Sequence, residues 1–190
     1  TAQTQSLTTA QVAALTSDQL NGVASDDLQA LSTNQIKALT TDQMSALSTA
    51  QVQLLQTTQV AALSSLHVAK LSSDAIASLT TDQVKQLSTA ALNALSSDQL
   101  AAMESGSIAA LTTAQLSKLT TAQLVKLSTA QIESFTTDQT QALTTAQIAS
   151  LTSDQVNNMA SDDLQALTTA QVKALTTAQI STLTAAQIAL

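Results

Sequence analysis

The chain has no cysteine, no proline, no arginine and only two glycines, and Phe135 is its one aromatic residue. Without cysteine there is no disulfide framework and no thiolate metal site. The scarcity of glycine and proline excludes collagen-like segments and flexible linkers, whose backbones depend on those residues. A single aromatic leaves little material for a conventional globular core. Six Lys against thirteen acidic residues give a net charge of −7, so nucleic acid and anionic lipid surfaces repel the chain. No apolar run approaches the roughly 18 residues of a membrane span, so no membrane insertion is expected. Intrinsic disorder is excluded in turn, because 44% of the residues are hydrophobic and only 10% charged, whereas disorder needs low hydrophobicity and high net charge.

What the chain does have is an eight-residue period that holds register throughout. An apolar residue stands at Leu7, Leu15, Val23, Leu31, Leu39 and every eighth position to Leu183. The unit reads Leu-[Ser/Thr]-[Ser/Thr]-[Ala/Asp]-Gln-[Ile/Val/Leu]-x-x, most often closing on Ala. A short fixed period over a whole chain marks a repeat architecture.

With the Leu as position 1, position 2 is Ser or Thr in 19 of the 23 octads from Leu7 to Leu183, and position 5 is Gln in 17. Ser or Thr followed three residues later by Gln is a capping box: the hydroxyl takes the backbone N–H of position 5, and the Gln side chain reaches back to the N–H of position 2. Positions 1 and 6 then form a hydrophobic staple, with Thr140 the polar exception among the full octads. Charge placement agrees. All eleven Asp fall at position 4 or 5 and all six Lys at position 7 or 8. A helix dipole favours acid in the first turn and base in the last.

Each octad therefore encodes its own short helix. One continuous α-helix would let the apolar seam drift by about 80° per octad. A β-solenoid remains the alternative, but it asks for period-two alternation and turn residues that are scarce here. The fold class expected is all-α: a solenoid or superhelix of very short capped helices, one per octad, with positions 1 and 6 inside and positions 3, 4 and 7 outside. Such helices do not persist singly in water, so stability must come from stacking.

A longer period overlies the first. Residues 1–54 align with 137–190 at 37 identities, an offset of 136 residues. Unusual residues recur with it: Thr4 with Thr140, Ala24 with Ala160, Asp27 with Asp163, and Lys37 with Lys173. The expectation for domains is one continuous solenoid over 1–190 containing this super-repeat. The chain opens and closes in register, as a window of a longer array would.

No catalytic, cofactor-binding or metal site is expected. His67, the single His, replaces Gln at position 5 and can donate or accept there much as Gln does. Catalysis needs a nucleophile with a base and an orienting group, and capping already accounts for the hydroxyls. Asp26–Asp27 and Asp162–Asp163 read as first-turn acids rather than a calcium site, which would need several oxygen ligands and usually a glycine turn. Caps are poor at Ala24, Gln56, Glu104 and Ala160, and the octad from Met103, with Glu104, Gly106 and Ser107, is the weakest. A local bend or mobile joint is expected there.

The array resembles the low-complexity repeat regions of very large secreted or surface proteins of bacteria, of the adhesin-stalk or filament type. The resemblance rests on in-register repeats, acidic balance, absence of cysteine and few lysines, over the whole chain. It implies an extracellular or cell-surface structural protein, a rod, stalk or filament without catalysis, that self-associates or continues in a longer array. The alternative is a binding module, using the Ser/Thr-rich outer face for carbohydrate, protein or ice.

Overall fold

A computed structural model describes residues 2–190. Among them are 24 helices and no strand, one helix per octad, from α1 (Ala2–Ser6) to α24 (Ala185–Ile188). The β-solenoid alternative therefore finds no support. The helices are four to six residues long. At α6 (Thr41–Ala46), for example, the cap residue Thr40 is extended, its hydroxyl accepts from the N–H of Gln43, and the Gln43 side chain accepts from the N–H of Thr40.

The joint between helices is made by positions 1 and 2. In α18 (Thr137–Ala142) the following Leu143 has φ −61° and ψ 137° and ends the helix, its N–H donating to Thr140 O. The next residue, Thr144, has φ −71° and ψ 158° and caps α19 (Thr145–Ser150). Two extended residues thus redirect the chain there, and Leu15, Leu31, Leu47 and Leu87 end their helices in the same extended conformation. Among the described residues none has a positive φ and no peptide bond is cis, which explains how the turns manage without glycine or proline.

The described chain divides into two compact units, one running to Met103 and the other from Glu104. Inside each, a helix packs on the one three octads before it. In the first unit, α3 (Ser17–Asn21) meets α6, α6 meets α9 (Ser65–Lys70), and α9 meets α12 (Thr89–Ala94). In the second, α15 (Thr113–Leu116) meets α18, and α19 meets α22 (Thr169–Ala174). The core is a column of position 6 side chains flanked by position 1: Leu116, Leu124 and Ile148 are fully buried, as are Leu20, Ile36 and Ile76 in the first unit. Position 5 also points inward, since Gln43, Gln83, Gln147 and Gln155 are only 2–3% exposed. That inward Gln extends the expected interior, which comprised positions 1 and 6.

Candidate functional site

The most elaborate chemistry in the chain is the buried glutamine column. Gln147 closes its own capping box, with Oε1 accepting the Thr144 N–H at 2.8 Å and its N–H donating to Thr144 Oγ1 at 3.1 Å. Its Nε2 then donates to two carbonyls at the end of an earlier helix, Leu116 O at 3.0 Å and Leu119 O at 2.8 Å. Those acceptors lie 31 and 28 residues upstream, at positions 6 and 1. The same pair recurs for Gln43 with Val12 and Leu15, Gln83 with Val52 and Leu55, Gln155 with Leu124 and Leu127, and Gln179 with Ile148 and Leu151. One amide thus starts its own helix and ties down the end of another, adding a second donor to the position 6 carbonyl, which already accepts the position 1 N–H, and supplying a donor to the position 1 carbonyl beyond the helix end.

The octad pattern alone assigns Gln only the cap. A signal for the second bond was present: Glu serves a capping box as well as Gln, yet no octad carries Glu at position 5. Only the amide supplies the Nε2 donor.

The substitutions at position 5 show what the column tolerates. His67 is buried, its Nδ1 facing the Ser64 N–H at 3.4 Å. Burial holds the imidazole below its ordinary pKa, against the opposing pull of its bond to the Leu39 carbonyl. Leu39 is 28 residues upstream, so the ring stands in for the amide. Asp163 in α21 (Ser161–Gln165) is 3% exposed. Burial pushes its carboxyl up, the Thr137 hydroxyl bonded to it pulls the other way, and the Asp162 charge adds to the rise. Asp27, its super-repeat counterpart, sits half-buried in the first turn of α4 (Ser25–Ala30).

These sites are dispersed along the column, and no group of three or more His, Asp or Glu side chains converges among the described residues. Asp26–Asp27 and Asp162–Asp163 occupy first turns at Ala24 and Ala160, which offer no side-chain cap. The surface of the described residues also carries hollows. In the first unit an open polar depression of about 580 Å³ is lined by Asp26, Gln29, Gln56 and Gln59 among others. In the second, an apolar groove of about 290 Å³ is lined by Leu164, Leu167, Val172, Leu175, Ile180 and Ile188, with neighbouring residues.

A family model described as the ALTTAQ repeat matches residues 23–57, 52–89, 85–113, 108–145 and 156–190, which together make up more than half of the chain. The chain belongs to the ALTTAQ repeat family. The six letters stand unaltered at 110–115, 142–147, 166–171 and 174–179. In the structure they are positions 8, 1, 2, 3, 4 and 5: the joint, the cap, the first turn and the column glutamine. The ALTTAQ motif is therefore the linkage between successive helices. No curated protein matches the chain.

Proposed function

We propose that this ALTTAQ array is a structural element of the cell exterior, an α-solenoid that acts as a rod, stalk or filament and works through length rather than chemistry. One observation carries the reading. The polar groups that define the motif, the position 2 hydroxyl and both ends of the position 5 amide, are spent on holding octads together. Packing of each helix on the one three octads earlier within each unit supports a superhelical coil. The absence of cysteine and the acidic surface suit a stalk that must stay unentangled outside the cell.

Length is the property to test. Because donor and acceptor lie a fixed number of octads apart, deleting Leu39–Ala62, three whole octads, keeps every remaining cap intact and preserves register. Negative-stain microscopy and small-angle scattering should show particles of unchanged width, shortened in proportion to the octads removed. A particle whose length ignores octad number would overturn the spacer reading. Saturable binding to one glycan on an array, with the full chain and the shortened chain alike, would favour the binding module instead.

A further inference from the structure

At Asp163 a carboxylate interrupts the glutamine column. A Gln at position 5 places its Nε2 against the position 1 carbonyl three octads back, as Gln155 does on Leu127 at 2.7 Å and Gln171 on Leu143 at 2.8 Å. For Asp163 that carbonyl belongs to Phe135, and among the described residues nothing donates to it. The Asp side chain is one methylene shorter than Gln and, when ionised, only accepts. Asp163 is nonetheless buried, and the Thr137 hydroxyl bonds to it. No lysine is among the groups acting on it; the charge that does act is Asp162, of like sign. Buried charges are ordinarily paired or coordinate a metal ion.

A second observation stands beside this one. Thr140 is fully buried, and its Oγ1 has no hydrogen-bond partner. Its helix, α18, packs on α21, which carries Asp163. In the first unit the matching hydroxyl, Thr4, bonds to the matching carboxyl, Asp27, so a position 6 hydroxyl reaches a position 5 carboxyl three octads on. Thr4 and Thr140 are the only hydroxyl residues at position 6 in the chain, and Asp27 and Asp163 the only carboxylates at position 5. Each unusual hydroxyl therefore comes with its carboxylate.

We propose that the Asp163 carboxylate, the Thr137 and Thr140 hydroxyls and the Phe135 carbonyl form a binding site for a hard cation of the calcium class. All four groups offer oxygen, the atom such a cation takes, and water fills the remainder of its roughly six to eight positions. Asp162, exposed in the same first turn, supplies the second negative charge. The acidic pair alone lacks the several oxygens and the glycine turn of a calcium loop. Here an upstream octad supplies the oxygens, and no loop has to bend around the ion. With one buried carboxylate among neutral oxygens, the affinity belongs at the weak end, a Kd of about 0.1–1 mM.

Calcium titration of the full chain, stripped with chelator and followed by calorimetry and amide NMR shifts, tests it. Asp27→Asn removes the counterpart in the first unit, so that a single site is read. This chain is expected to bind one calcium ion, with shifts gathered at 135–140 and 160–164 and a Tm that rises with calcium concentration. Adding Asp163→Asn or Thr140→Val should weaken binding by at least about 10-fold, with circular dichroism unchanged. Asp154→Asn, at an exposed first-turn position, should leave it unaltered. Asp163→Gln, which restores the residue the repeat prefers, replaces Asp163→Asn should that variant lose helicity. No saturable binding up to about 10 mM calcium would overturn the proposal and leave Asp163 a buried neutral acid. So would binding that the Asp163 variants leave intact, or that Asp154→Asn weakens equally. Sodium that saturates the site at the same concentration would overturn the calcium assignment.

Discussion

At Thr140 a hydroxyl occupies a position otherwise filled by aliphatic side chains. It is fully buried, and its Oγ1 has no hydrogen-bond partner. A buried unsatisfied hydroxyl is a net loss, and Val has the same shape without it. Thr140→Val should therefore raise stability by about 1 kcal/mol, read as a shift of the urea midpoint at constant slope; an unchanged or lower midpoint would show that the hydroxyl is satisfied in solution. Asp163 poses the opposite problem, an acceptor where the column wants a donor. Its folded pKa is raised, so the protonated form is favoured in the fold. Its contribution is therefore complete below the ordinary carboxylate pKa and is lost as pH rises through the raised value. Asp163→Gln restores the donor and should stabilise the chain near pH 7 by about 1–2 kcal/mol, with the gain shrinking as the solution is acidified. A gain independent of pH would refute the assignment. His67 has the reverse sign. Its folded pKa is lowered, so its contribution is present above pH 6.5 and is lost as pH falls through the lowered value.

At the scale of the helix, the column glutamine separates two roles that a cap alone would merge. Gln147→Glu keeps the capping box but loses two Nε2 donors and turns a carboxylate toward the carbonyls of Leu116 and Leu119. An unpaired buried charge of this kind is worth about 3–5 kcal/mol of destabilisation. Gln11→Glu, exposed and bonded only to Thr8, should stay within about 0.5 kcal/mol. Equal midpoints for the two in denaturant melts would mean that the column contributes nothing beyond capping. This contrast also marks what could be read from residues alone. Helix starts were legible because the cap, the staple and the Asp and Lys placement all act within one octad, as in Thr144 to Ile148. The joint was legible for the same reason. The bond from Gln147 to Leu116 was not, because it depends on how many octads make one turn, and the angle taken at each Leu-Thr joint leaves no mark on the period. The inward side of position 5 followed the same course: Gln is polar, and only the acceptors waiting 28 and 31 residues upstream make it an interior residue.

At the scale of the molecule, an array stands or falls by its weakest neighbour, since each helix is held by its own cap and by a few surrounding helices. The boundary between the two compact units falls between Met103 and Glu104, at the octad whose sequence is furthest from the motif. The helix that follows, α14 (Ser105–Ala109), has no side-chain cap at Glu104 and carries Gly106 in its first turn. A Cβ added at Gly106 would meet nothing within 4 Å, and its φ is not positive, so the glycine answers no steric demand and only enlarges the unfolded ensemble. Amide hydrogen exchange should be faster in α14 than in α18 or α19, whose capping boxes are complete. Glu104→Thr should restore a cap worth about 1 kcal/mol, and Gly106→Ala should add about 0.4–1 kcal/mol. Together they should bring α14 exchange down to the rate of its capped neighbours and remove the earliest cut in limited proteolysis. If the repaired chain is still cleaved first at 104–107, the weakness lies in the joint at Met103 rather than in the helix, and repair of the cap and the glycine would leave the two-unit behaviour unchanged.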